Sequence, residues 1–178
     1  FSTISKSHNF FLYLHYDKIH SGITESILKK YNNFSKEYFK NEDQNKENYQ
    51  KLFHSSELYL EQILTKIEEL NLLKNSLLIV LSDHGMSVGE KFGERAYGAF
   101  CYDYTLKTFC YFYDVELNNQ EISNQVRTVD FMPTILELLK IKLKTNFKSL
   151  DGESLLPLFT GKKIEEKIAF SETGNPLK

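Results

Sequence analysis

The feature that most constrains the fold is an aliphatic run that ends abruptly in polar, chemically active residues. Leu77–Leu81 are all aliphatic, and Ser82 links them to Asp83-His84-Gly85. The run predicts a strand. Because strand ends in α/β sheets open onto the crevice where ligands bind, a carboxylate beside an imidazole here predicts a ligand site. The alternative is that Asp83 caps a turn and His84 packs beneath it.

The chain before this strand contains a second apolar run and one long helical pattern. Phe10–Tyr16 is continuously aromatic and apolar, which predicts a strand covered on both faces. Between the two strands, apolar or small residues recur every three or four positions, as in an amphipathic helix with one buried stripe. They are Tyr49, Leu52, Phe53, Ser56, Leu60, Ile63, Leu64, Ile67 and Leu70. Strand, helix and strand in succession are typical of a βαβ unit.

The second half of the chain predicts a loop, two more strands and two helical segments. Spaced glycines and charges from Gly85 to Gly98 indicate a loop over the strand ends. The other expected elements are a strand at about Leu106–Tyr113, a helix from an N-cap at Asp130 to Leu139, a short apolar segment at Leu155–Phe159, and a strand at Ile168–Gly174. We therefore expect an α/β fold with a mostly parallel or mixed central sheet flanked by helices, incomplete because the outer strands lack neighbours.

Composition excludes some partners. The chain has 178 residues and a net charge of -2 with mixed signs, so we expect no nucleic-acid partner. No stretch reaches the roughly 20 apolar residues of a membrane span. Cys101 and Cys110 lie in aromatic sequence without a CxxC pair, which favours free, buried thiols over structural zinc. Free thiols fit a reducing compartment such as the cytoplasm.

The pair Asp83 and His84 is the first candidate for a metal site. Neighbouring side chains of a strand point to opposite faces, so both can bind one ion only if the backbone leaves the extended conformation, which Gly85 allows. A carboxylate with a neutral imidazole suits zinc or manganese, whereas calcium and magnesium prefer oxygen ligands. Two ligands do not complete a catalytic site, so others must come from elsewhere.

Further candidates follow the first predicted strand and line the glycine-spaced loop. Taken alone, Asp17 and His20 fit an exposed turn with a solvated histidine better than a ligand site, but they would meet the Asp83-His84 pair if both strands were parallel. His15 lies within the apolar run and fits a hydrogen-bonded core histidine better than a ligand. Lys91 and Arg95 could pair with an anionic substrate, or be solvated loop charges.

Taken in order, these segments resemble the sulfatase family of the alkaline phosphatase superfamily. The motifs are Phe10–His20, Ser82-Asp83-His84-Gly85, the loop at Gly89-Glu90, Tyr102-Asp103, Val129–Ile135 and Asp151–Leu158. The resemblance implies an alkaline phosphatase-like fold, with a large mixed sheet between helices. It also implies an enzyme that hydrolyses small-molecule sulfate or phosphate esters.

By this resemblance, several residues acquire roles. Asp83 and His84 would bind a divalent metal ion, either calcium or manganese or zinc. His20 would contact the ester or leaving group, and Lys91 would bind the anion as a second catalytic residue. Arg95 would bind substrate, in competition with Lys91.

The family nucleophile is a cysteine or serine in a C/S-x-P-x-R motif, converted to formylglycine in sulfatases. Neither Cys101 nor Cys110 has this context. We therefore expect residues 1–178 to form the later part of a catalytic domain, inactive alone, without the upstream nucleophile region or a C-terminal subdomain. The expected reaction of the parent protein is sulfate ester hydrolysis.

Three alternatives to that reaction stay open. The histidine after Asp83, where many sulfatases have asparagine, favours a phosphomonoester, phosphodiester or phosphonate hydrolase. A phosphoethanolamine-type transferase and a non-catalytic scaffold are the others.

Overall fold

A computed structural model describes residues 9–30, 35–144 and 149–174. The helices are α1 (Lys18–Ser26), α2 (Glu37–Lys40), α3 (Glu42–Glu69), α4 (Asp103–Leu106), α5 (Phe131–Leu138) and α6 (Leu156–Phe159), and the strands are β1 (Leu78–Leu81) and β2 (Cys110–Tyr113). Short 3-10 turns lie at Leu28–Lys30, Leu73–Asn75 and Thr128–Asp130. No helix among the described residues is long and apolar enough to cross a bilayer.

The sheet of the described residues has two antiparallel strands, β1 and β2, with Leu78 opposite Tyr113 and Leu81 opposite Cys110. The expected parallel pairing and βαβ unit are therefore wrong for these residues. Phe10–Tyr16 forms no strand, and Phe11 is 89% exposed. An apolar run becomes a strand only when a neighbour supplies a hydrogen-bonded ladder, which sequence pattern alone does not guarantee.

Other boundaries also differ from expectation. Asp103–Leu106 forms α4, so β2 begins at Cys110 rather than near Leu106. The segment Ile168–Gly174 is not a strand. The long amphipathic helix is confirmed as α3, the helix after Asp130 as α5, and the segment Leu155–Phe159 contains α6.

The chain divides into two compact units. Unit 1 comprises the described residues up to Ile63 together with Ser87–Ala96, and its core contains Ile23, Ile27 and Tyr38. Unit 2 comprises Leu64–Met86 and the described residues from Tyr97 onward.

The core of unit 2 forms on one face of the sheet. The Phe112 ring of β2 lies 6.2 Å from the Phe131 ring of α5 and 5.3 Å from the Phe159 ring of α6. Leu155, just before α6, and Leu158, within α6, are also buried. Aromatic burial of this kind stabilises the association of β2 with both helices.

Candidate functional site

The strand pairing ends at Ser82, and the residues that follow it form the candidate site. Its backbone N–H donates to the Phe109 carbonyl at 3.1 Å, and its hydroxyl oxygen accepts from the Phe109 N–H at 3.2 Å. A side-chain oxygen therefore takes the place of the next backbone acceptor. The backbone of the following residues can then turn away from the ladder.

Asp83 and His84 converge just beyond this point. The Asp83 carboxylate accepts from the His84 backbone N–H at 2.9 Å, and its second oxygen lies 3.7 Å from His84 Nε2. His84 Nδ1 lies 2.7 Å from the Gly85 carbonyl oxygen. A carbonyl can only accept, so Nδ1 is the donor in this contact and Nε2 is the ring nitrogen beside Asp83.

This donor set fits a divalent metal ion. The separation of 3.7 Å is too long for a hydrogen bond. It is shorter than the sum of two metal bonds of about 2.0–2.2 Å each, so one ion can contact both atoms. The hydrogen bond from Nδ1 to a backbone carbonyl is the outer contact that metal-binding histidines usually make.

Gly85 anchors the two side chains to α4. Its N–H donates to the Thr105 carbonyl at 2.9 Å, and a Cβ added at Gly85 would overlap the Tyr104 carbonyl oxygen. Thr105 is buried and donates its hydroxyl to the Tyr102 carbonyl. Only glycine permits this close approach.

The pair is part of a site rather than a complete one. Within the three described ranges, no group of three or more His, Cys, Asp or Glu side chains could hold a metal ion. Catalytic zinc sites have three protein ligands, so Asp83 and His84 require further donors.

The first histidines lie in unit 1. His20 is exposed in the first turns of α1, whose N-cap is Asp17, so these residues begin a helix instead of ending a strand. His15 is exposed, and the expectation of a core histidine is wrong because the segment around it is not covered.

The loop Ser87–Ala96 belongs to unit 1, and a bridge joins its two ends. Ser87 and Ala96 form an antiparallel bridge, and the buried Tyr38 hydroxyl donates to the Ser87 carbonyl at 2.8 Å. The buried Asn45 amide donates to the carbonyls of Tyr38 and Val88, both at 2.9 Å. Sequence reasoning missed both residues, although Asn45 is in phase with the apolar stripe of α3.

The two loop cations differ in environment. Lys91 is exposed. Arg95 is half-buried, donates to the Leu28 carbonyl at 3.3 Å, and places its guanidinium 5.3 Å from the Tyr38 ring. These contacts tie Arg95 to the interior of unit 1.

A carboxylate in the same loop serves its backbone. One oxygen of Glu90 accepts from the Ser87 hydroxyl at 2.9 Å and from the N–H groups of Val88 and Gly89 at 2.8 and 3.1 Å. Glu90 therefore shapes the turn that precedes Lys91.

Asp130 organises a buried polar cluster in unit 2. Its carboxylate accepts from Arg127 Nε and Nη2 at 3.1 and 2.8 Å and from the Glu153 N–H at 2.9 Å. Burial alone raises the pKa of Asp130, but the hydrogen bonds from Arg127 and Glu153 outweigh it and the net pKa is lowered. The expected N-cap hydrogen bond to α5 is absent in this described segment.

The cysteines are both free, as expected, but only one is sheltered. Cys101 is exposed, so its predicted burial is wrong. Cys110 is half-buried in β2, and desolvation raises the pKa of its thiol to about 11.

Comparison with known protein families identifies the family of the chain. The sequence model of the family described as Sulfatase matches residues 2–141, which include every candidate site residue discussed above. No curated protein matches the chain.

Proposed function

Because the chain belongs to the sulfatase family, we propose that it contributes metal and substrate ligands to a metal-dependent hydrolase of small-molecule sulfate esters. The observation that carries the proposal is the convergence of the Asp83 carboxylate and His84 Nε2 beyond the end of β1. In this proposal the fold of the complete domain is alkaline phosphatase-like.

Asp83 and His84 are the residues that would hold the divalent ion. Such an ion, when bound, activates the nucleophile and polarises the ester. Manganese or zinc suits the mixed donor pair, and calcium would require more oxygen ligands. The hydrogen bond to the Gly85 carbonyl orients the His84 ring, and Nε2 is the ring nitrogen beside the Asp83 carboxylate. If the protein is a true sulfatase, formylglycine is the nucleophile.

His20, Lys91 and Arg95 complete the proposed assignment. By the family resemblance, His20 would assist departure of the alcohol. Lys91 stabilises negative charge on the nonbridging oxygens. Arg95 is the second candidate for substrate binding, and its guanidinium also contacts the Leu28 carbonyl and the Tyr38 ring.

The charge of the substrate bears on the choice between a sulfate ester and a phosphate monoester. A sulfate ester carries one negative charge and a phosphate monoester carries two, so the number of cations that contact the substrate would bias the choice. The sequence does not fix that number, and the histidine after Asp83 favours the phosphoester branch, so the choice is tested directly.

The test uses the full-length natural chain with nitrophenyl sulfate, nitrophenyl phosphate and bis-nitrophenyl phosphate, with and without added Mn²⁺ or Zn²⁺. We expect metal-dependent turnover of the sulfate, reduced at least about 100-fold in Asp83→Ala. Asp103→Ala is the matched control, because that exposed carboxylate forms a surface ion pair with Lys107. Preferential phosphate turnover would reassign the substrate, and activity unchanged in Asp83→Ala would overturn the metal site.

A further inference from the structure

Tyr97 covers the imidazole of His84. The two ring centroids lie 4.2 Å apart with an interplanar angle of 38°, and both residues belong to unit 2. Tyr97 is 38% exposed and His84 is partly exposed, so the aromatic contact forms near the surface. A ring at this distance restricts how the imidazole can rotate.

Three restraints act on the same imidazole. His84 Nδ1 donates a hydrogen bond to the Gly85 carbonyl at 2.7 Å, and the imidazole ring contacts the Tyr97 ring. The Gly85 N–H in turn donates to the Thr105 carbonyl at 2.9 Å. The hydrogen bond sets the proton position, and the tyrosine limits rotation about the bond to the ring. Nε2 is the ring atom that these contacts leave beside Asp83.

We infer that Tyr97 is a positioning residue that holds the His84 imidazole for metal binding. This inference rests on the proposed function, because it assumes that His84 Nε2 is a metal ligand. Preorganisation lowers the conformational cost of binding, so loss of the aromatic ring weakens metal affinity without removing a ligand. The phenol hydroxyl is not needed for this role.

The experiment measures Zn²⁺ affinity of the full-length natural chain by competition with a chromophoric chelator. We expect Tyr97→Leu to weaken binding about tenfold, as other outer contacts of metal ligands do. Tyr97→Phe keeps wild-type affinity, because it retains the ring. The control is Tyr113→Leu, the same substitution at the end of β2 that lies far from Ser82, and it should leave Zn²⁺ affinity unchanged.

The variant His84→Ala distinguishes failure of the positioning role from failure of the metal site. If His84→Ala weakens Zn²⁺ binding and Tyr97→Leu does not, the positioning role is overturned while the metal site stands. If His84→Ala binds as wild type, both are overturned.

A second readout needs neither metal nor turnover. In the metal-free protein, the tyrosine ring current should shift the His84 ring protons to higher field in wild type and Tyr97→Phe, compared with Tyr97→Leu. Equal shifts in all three proteins would contradict the contact itself. Urea unfolding of each variant identifies any that fails to fold.

Discussion

At the scale of single residues, the motif residues divide between ligand chemistry and packing. Asp83 and His84 present oxygen and nitrogen atoms beside each other. Asp130 belongs to an equally prominent motif, but its carboxylate is buried against Arg127 and the Glu153 backbone. Gly152 has a related role, since an added Cβ would overlap the Val129 carbonyl. Asp130 thus has a structural role in its motif, whereas Asp83 belongs to a candidate metal site.

Because of Asp130, we expect the free energy of unfolding to depend on pH in the acid range. Its folded pKa lies below the unfolded value of about 3.9. The stabilisation is therefore complete above that unfolded pKa and is lost as pH falls through the folded pKa. We expect Asp130→Asn to lose about 2–3 kcal/mol near neutral pH, and to approach wild type in acid.

Urea unfolding followed by circular dichroism, from neutral pH down to about pH 2, measures this difference, because the loss occurs below the unfolded pKa. The control is Asp103→Asn, whose surface pair with Lys107 should contribute about 0.5 kcal/mol or less. A deficit in Asp130→Asn that stays constant across the range would contradict the prediction.

At the scale of elements, one hydroxyl connects α5 to the segment before α6. The buried Thr134 hydroxyl donates to the Asp130 carbonyl at 2.6 Å and accepts from the Leu155 N–H at 2.9 Å. Leu155 is also buried, so water cannot replace this partner. The bond therefore fixes where α6 begins relative to α5.

Thr134→Val should destabilise the protein by about 1–3 kcal/mol, because it keeps the side-chain shape but leaves the Leu155 N–H unpaired. Thr134→Ser should lose less, since it keeps the hydroxyl. Hydrogen exchange at the Leu155 amide, with urea unfolding, measures both effects. Thr160→Val removes an exposed hydroxyl and serves as the control; an unchanged Leu155 exchange rate in Thr134→Val would refute the link.

At the scale of the whole molecule, exposed apolar side chains determine how the chain behaves in solution. Phe11 and Tyr13 are 89% and 73% exposed, and Ile168 and Phe170 are 89% and 83% exposed. Large exposed apolar side chains concentrated in short segments favour association. These segments, which the sequence pattern assigned to strands, thus contain some of the most exposed side chains.

We expect the 178-residue chain to self-associate at micromolar concentrations, and Phe11→Lys to raise the concentration at which this begins. The substitution removes exposed apolar surface and adds a charge to the apolar segment. Sedimentation velocity over a concentration series measures the change. Gln62→Lys adds the same charge on the exposed surface of α3 and should have little effect, whereas a wild-type chain that stays monomeric throughout would contradict the expectation.

The ordered motifs of the chain identified the family. Local pattern determined the strand Leu78–Leu81, helix α3 and the polar residues at the strand exit, because these depend on side-chain periodicity and on neighbours in the chain. Tertiary structure alone decided the antiparallel partner of β1, the exposure of Phe10–Tyr16 and the role of Asp130. It also placed Tyr97 on His84. These outcomes depend on contacts between residues distant in the chain, whose hydrogen bonds and burial no local periodicity encodes.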